Sequence, residues 1–294
     1  DAEHHHLLLR ALGNPSRKQH GEFIELSMAN GGAPLRRWLM SPSIGAICDR
    51  HAGYAQALQQ LIADFAVEQI WVSSLIGHSL DALRSALPLR WMVHDYFPLW
   101  PNLHRDFGAP NARFDAAELS ADLRLGKDGP FAEQDCAWWT SIRNTCVDLL
   151  LAAQAQLIAP SQSTLRNLLK IAPALGELPQ RTIAHGSAGW PKLEYTRAAI
   201  GRKDKLRLLV LGRINGAKGL DLLRQLTPQL RQYCDLYLIG AGKAAEALFG
   251  VAGVHIQLNY AYADLPSILG RLQPHAALLP VTVSETFSYT LSEL

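Results

Sequence analysis

The stretch LRLLVLG at residues 206–212 is apolar at successive positions, broken only by Arg207. A strand patterned this way is buried on both faces, as happens inside a parallel sheet covered by helices on each side. The segments that follow repeat the theme. GLDLLRQLTPQL has a helical period, LYLIG (236–240) is a second buried strand and AALLP (276–280) a third. Parallel neighbours need a crossover, usually a helix, so this part of the chain reads as β-α-β units.

The earlier part alternates in the same way. Residues 3–12 read as an amphipathic helix and FIELSMA (23–29) as a strand. A helix is expected over about 54–66, where Leu58, Leu61, Ile62 and Phe65 follow a 3.6-residue spacing. IWVSSL (70–75) is a strand, HSLDALRSAL a short helix, and RWMVHDYF a strand ending in His94 and Asp95. Residues 98–130 are rich in Pro, Gly, Asn and Asp and read as a long loop. A helix from Glu133 to about Gln156, the strand QLIAPS (156–161), the serine-capped helix SQSTLRNLLK and RTIAHG (181–186) complete this half. The polar, aperiodic run 187–205 is the expected linker. Two α/β domains are therefore expected, at 1–190 and 201–294, each with a Rossmann-like parallel sheet.

Composition narrows the chemistry. With 48% hydrophobic and 18% charged residues and a formal charge of +2, disorder and a supercharged nucleic-acid binder both fit poorly. Up to residue 200 there are 18 Lys and Arg against 19 Asp and Glu, and 10 against 7 beyond it. That bias suits an anionic small ligand better than a DNA backbone. Cys48, Cys136, Cys146 and Cys234 form no Cys-x-x-Cys pair, which signals neither zinc nor redox chemistry and suggests a reducing, cytoplasmic compartment. No apolar run approaches the roughly 18 residues of a membrane span.

Four constellations carry chemistry. In VLGRINGAKGLDLL, Arg213 and Lys218 follow a buried strand and precede a helix, a place suited to a diphosphate; they read equally as solvated loop cations. Gly240 and Gly242 in LIGAG allow close approach of a ligand or make an ordinary tight turn, and the dinucleotide fingerprint is incomplete. In LLPVTVSETFSYTLSEL, Glu285 and Glu293 stand eight residues apart. A helix starting near Phe287 would bring both carboxylates to one side and aim backbone N–H groups at an anion; otherwise Glu285 serves the helix dipole and Glu293 is solvated. In MVHDYFPLWPNLH, His94 and Asp95 end a strand with Tyr96, Phe97 and Trp100 behind them, suited to orienting and stacking on a sugar, or simply to a packed core.

The third of these resembles the E-x7-E motif of the retaining family 4 glycosyltransferases, and its wording is similar to the subgroup that builds bacterial surface polysaccharides, lipopolysaccharide among them. LVLGRINGAKGLDLL, LYLIGAG, QLIAPSQST, RTIAHG and MVHDYFPLWP resemble further motifs of that family in the same order, covering the chain from about residue 70 onward. The resemblance implies a GT-B fold, two Rossmann-like domains facing across a cleft, with the second domain incomplete here. It implies that Arg213 and Lys218 hold the diphosphate of a nucleotide sugar donor and that Gly240 lines the donor site. Glu285 would face the transferred sugar, Glu293 the ribose, and the backbone of Thr286 and Phe287 the phosphate. His94 would lie beside the sugar, and Asp95, Tyr96 and Trp100 on the acceptor side. The implied activity is a retaining hexosyltransferase acting on a glycan or lipid-linked glycan acceptor, with no metal, no other cofactor and no nucleic-acid partner, at the cytoplasmic face of the membrane or free in the cytoplasm. Two departures accompany it. The family continues beyond the second glutamate with another strand and helices, and its opening strand with a glycine-rich loop has no counterpart before the first readable element. The chain is thus expected to be a piece of a longer enzyme. Competing readings are a noncatalytic nucleotide- or glycan-binding module, a GT-B-type epimerase or phosphorylase, and an NAD-dependent oxidoreductase.

Overall fold

The computed structural model describes residues 5–125, 131, 133–186, 201 and 204–294. Most of the run expected as a linker, 187–205, lies outside the described residues. The chain divides into two compact units, one of Asp1–Leu103 with Gly108–Ala184, the other of His104–Phe107 with His185–Leu294.

The first unit opens with an antiparallel meander of β1 (Leu7–Asn14), β2 (Gln19–Met28) and β3 (Arg36–Ile44), in that spatial order. The helix expected over 3–12 is therefore a strand. Leu7 to Leu12 pair in register with Met28 to Phe23, and this pairing overrides the helical propensity of a leucine-rich run. On β2, Glu25 accepts from Arg10 at 2.8 Å and is also paired with Arg37, so two cations on the flanking strands satisfy one buried carboxylate.

After the short β4 (Ile47–Cys48) comes α1 (Ala52–Asp64), where expected. His51 caps it, its Nδ1 accepting from the Tyr54 N–H at 3.1 Å, while the His51 N–H donates to Asp81 at 2.7 Å. β5 (Ile70–Val72), β6 (His78–Ser79) and β7 (Leu89–Met92) follow. β4 and β6 form a two-stranded parallel sheet of their own.

The span 98–130, expected to be a loop, contains α2 (Ala116–Leu125). Its sequence AAELSADLRL is made mostly of good helix formers, but only Leu119 is buried, so the apolar stripe is too thin to announce itself by period. α3 (Cys136–Ala152) buries Trp139, Ile142, Cys146 and Leu150 along one face. β8 (Gln156–Ala159) leads into α4 (Gln162–Ile171), whose cap is Ser161 as expected, accepting from the Thr164 N–H at 3.1 Å. β9 (Gln180–Thr182) closes a four-stranded parallel sheet of order β5-β7-β8-β9.

The second unit is a four-stranded parallel sheet of order β12-β11-β10-β13. Its elements are β10 (Leu206–Leu211), α5 (Leu220–Leu230), β11 (Cys234–Ile239), β12 (Val254–Gln257), α6 (Leu265–Leu272), β13 (Ala276–Ala277) and α7 (Tyr289–Glu293). Alternate residues of β10 explain its continuous apolar run. Val210 packs with Leu223, Leu236 and Leu238 on the α5 side, and Leu209 and Leu211 pack with Leu265 and Ile268 on the α6 side. The protein is thus α/β, with a four-stranded parallel sheet in each unit.

Candidate functional site

In the second unit the loop leaving β10 meets the segment before α7. Gly212 has a φ of 94°, and a Cβ there would lie 3.4 Å from the Thr290 hydroxyl. The chain then passes the exposed Arg213 and the buried Ile214 to an Asn-Gly turn. Asn215 Oδ1 accepts from the Lys218 N–H at 2.9 Å and fixes the loop. Gly219, at φ 80°, precedes α5, and a Cβ on it would collide with the carbonyl of Pro280. That contact welds the loop to the chain leaving β13. Thr282 adds to it, its N–H donating to the Ala217 carbonyl at 3.1 Å and its hydroxyl to the same oxygen at 3.2 Å.

This weld brings Lys218 against Glu285, and their charged ends form an ion pair. The side chains are 40% and 22% exposed, so both can still be reached from solvent. Partial burial pulls the lysine below its ordinary range, whereas the carboxylate opposite favours the ammonium form.

Gly240 and Gly242, with φ of 72° and 71°, end β11. Over Gly240 lies the Tyr260 ring, 2.5 Å from where a Cβ would stand, and over Gly242 the stem of Arg213, at 3.5 Å. Gly240 is thus required by the ring beside it, whereas at Gly242 the contact is an ordinary one and it is the positive φ that favours glycine. Burial first, and then the charge of the Glu293 carboxylate, raise the Tyr260 phenol above its ordinary value.

The helix expected near Phe287 begins two residues later. Ser288 is extended and its hydroxyl accepts from the Leu291 N–H at 3.3 Å, so Glu285, Thr286 and Phe287 precede α7 instead of opening it. The eight-residue spacing therefore does not place Glu285 and Glu293 on one helix face. Phe287 and Tyr289 pack instead around His185, whose ring lies parallel to Tyr289 at 5.6 Å and edge-on to Phe287 at 5.0 Å. Ser284 donates to Asp106 at 2.7 Å, tying the segment to residues 104–107 of the same unit.

The first unit places the remaining candidates at the end of β7. His94 and Asp95 are half-buried. Asp95 Oδ1 accepts from the Phe97 N–H at 2.9 Å, and burial pushes its carboxyl up to about 6 against the pull of that hydrogen bond. Tyr96 and Trp100 are in the core, 3% and 0% exposed. Trp100 donates its indole N–H to Asp122 at 2.7 Å and meets Phe114 edge-on. As placed, Tyr96 and Trp100 pack within the 98–125 region, whereas the acceptor-side reading expects rings that face solvent. Apolar bulk explains it, because two large rings next to a strand end bury far more surface inside than outside.

Asn215, Tyr260, Thr282 and His185 were not singled out from the sequence. The Asn-Gly pair signals a turn. Nothing in the local sequence of the other three points to contacts so remote along the chain. Among the described residues no group of three or more His, Cys, Asp or Glu is placed to hold a metal ion, and no helix is long and apolar enough to cross a membrane. The chain matches no protein-family model and none of the curated proteins with which it was compared.

Proposed function

We propose that the second unit binds the diphosphate of a nucleotide sugar and that the protein is a retaining glycosyltransferase of the GT-B type, acting on a glycan or lipid-linked glycan. The supporting observation is the Lys218–Glu285 pair, because a cation and a carboxylate from remote segments are held together at the carboxyl ends of parallel strands, where α/β sheets take their ligands. Arg213 stands in the same loop and is exposed. A diphosphate would draw the Lys218 ammonium from a single carboxylate to a more highly charged partner, and Arg213 would grip a second oxygen in a bidentate way. Glu285, released from the lysine, would accept hydrogen bonds from the hydroxyls of the sugar.

The chemistry is then mainly electrostatic. The bond between the anomeric carbon and the phosphate oxygen breaks, and the two cations stabilise the departing diphosphate. The acceptor oxygen bonds to the anomeric carbon on the same face and passes its proton to the leaving phosphate oxygen, so configuration is retained. His94 and Asp95 are the groups of the first unit assigned to sugar and acceptor.

The test is a thermal-shift panel of UDP, GDP, dTDP and NAD, because a ligand at a hundred times its Kd stabilises by about 2.7 kcal/mol. One nucleoside diphosphate should raise Tm, and Lys218→Ala should abolish the shift while leaving the fold intact. Stabilisation by NAD alone, or a diphosphate shift that survives both Lys218→Ala and Arg213→Ala, would overturn the assignment.

A further inference from the structure

Successive side chains of a strand point to opposite sides, so the meander β1-β2-β3 has two faces. One holds Ile24, Leu26 and Met40, all buried. The other carries a repeated pattern. Leu8, Arg10 and Leu12 stand at every second position of β1, and Leu35, Arg37 and Leu39 repeat the spacing through the turn into β3 and along it. Register brings the two runs to either side of β2. Arg10 and Arg37 flank Glu25, and in the next row Leu12 and Leu39 flank Phe23. Arg10 Nη2 donates to Glu25 Oε1 at 2.8 Å and Arg37 Nε to Oε2 at 3.1 Å, so both oxygens of that carboxylate are taken. The arginine side chains nevertheless remain 51% exposed, with the Arg37 guanidinium 5.8 Å from the centre of the Phe23 ring. Leu8, Leu35 and Leu39 are 41%, 47% and 64% exposed. One exposed leucine is ordinary, but three set around a pair of cations make a patch. The turn 29–34 between β2 and β3 adds no charge to it.

We propose that this face of the meander docks on an anionic lipid bilayer. The leucines enter the acyl boundary, while Arg10 and Arg37 extend their stems past them to the headgroup phosphates. Charge selects this occupant. Among the described residues the face presents two cations against one carboxylate, so an isologous contact with a second copy would bury four guanidiniums with two carboxylates. An acidic polypeptide answers the arginines but not the leucines that outnumber them. A bilayer surface supplies an apolar and an anionic layer together, which matches cations set between leucines on both outer strands. Docking does not depend on what the second unit binds.

The experiment sediments the protein with vesicles of phosphatidylcholine, alone or mixed two to one with phosphatidylserine. Binding should be at least tenfold tighter on the mixed vesicles. It should weaken as NaCl is raised from about 0.1 M to about 1 M, where the Debye length shrinks from about 10 Å to about 3 Å. Leu35→Ser combined with Leu39→Ser, both at exposed positions, should leave Tm unchanged and reduce binding at least tenfold. Leu125→Ser, which removes a leucine 85% exposed on α2, should leave binding unchanged. Equal binding to the two kinds of vesicle, or binding to neither, would overturn the proposal, and so would a double variant that binds like the unaltered chain. Two other outcomes would replace the occupant. A dimer in light scattering that the double variant dissociates would assign the face to a second copy, and poly-glutamate bound as tightly as the mixed vesicles, with the same loss in the double variant, would assign it to an acidic polypeptide.

Discussion

Asp95 and His78 titrate against each other within the first unit. The Asp95 carboxyl is pushed up to about 6 from an ordinary 3.8 by burial, so its contribution to stability is full below about pH 4 and is lost as pH rises through 6. His78 Nδ1 shares a hydrogen bond with the Tyr54 hydroxyl at 2.9 Å, and burial pushes the ring down to about 4. Its contribution is full above the ordinary 6.5 and is lost as pH falls through 4. The two slopes oppose each other between pH 4 and 6.5. Asp95→Asn should therefore leave a protein whose stability climbs with pH across that window, and His78→Gln one whose stability falls. Urea titrations at pH 4, 5, 6 and 7 separate the two, and parallel profiles for both variants would show that neither group carries the effect. Both histidine and aspartate could be picked out in the sequence, but only Asp95 was connected with a site. The burial that sets their titration depends on α1 and on strands far away in the chain.

The loop from β10 to α5 is the element on which the candidate site rests, and two of its three glycines, Gly216 and Gly219, should respond differently to substitution. Gly219 combines a φ of 80° with the carbonyl of Pro280 in the position a Cβ would take, whereas nothing lies within 4 Å of that position at Gly216. Gly219→Ala incurs the left-handed penalty of about 1–2 kcal/mol plus the displacement of Pro280, and should also disturb the Lys218–Glu285 pair. Gly216→Ala should cost less than about 1 kcal/mol. Chemical denaturation of the two variants side by side checks this, and equal losses would mean that the Pro280 contact does not hold the loop. The strands and helices around this loop were legible because β10, β11 and α5 have strong, unmixed periods. β1 was not, since a run such as LLLRAL satisfies helix and strand alike until a partner strand chooses. α2 was not either, because a helix that buries one leucine leaves almost no pattern. α7 was placed two residues early, at Phe287, because the capping role of Ser288 depends on a bend that the sequence around it does not announce.

Each unit has a parallel sheet, and in the second the sheet is covered on both faces by separate apolar clusters. Leu223, fully buried on α5 in the cluster that holds Val210 of β10, anchors one of them. Leu223→Ala should destabilise this sheet by about 2–5 kcal/mol, read as faster exchange of the β10 and β11 amides. The α/β class and the parallel arrangement followed from continuous apolar strands alternating with helices. The meander at the start did not, and neither did the contacts that bring Thr282, Tyr260 and His185 to the loops around Lys218. One such contact was hidden by chain order. Residues 104–107 belong to the second unit although they interrupt the sequence of the first, and Ser284 bonds to both Arg105 and Asp106 there. During synthesis these four residues leave the ribosome long before the rest of their unit exists. The second unit therefore cannot complete itself as an autonomous C-terminal piece: it must recover a fragment left behind earlier in the chain, and cutting the gene at residue 185 would separate Ser284 from its partners permanently.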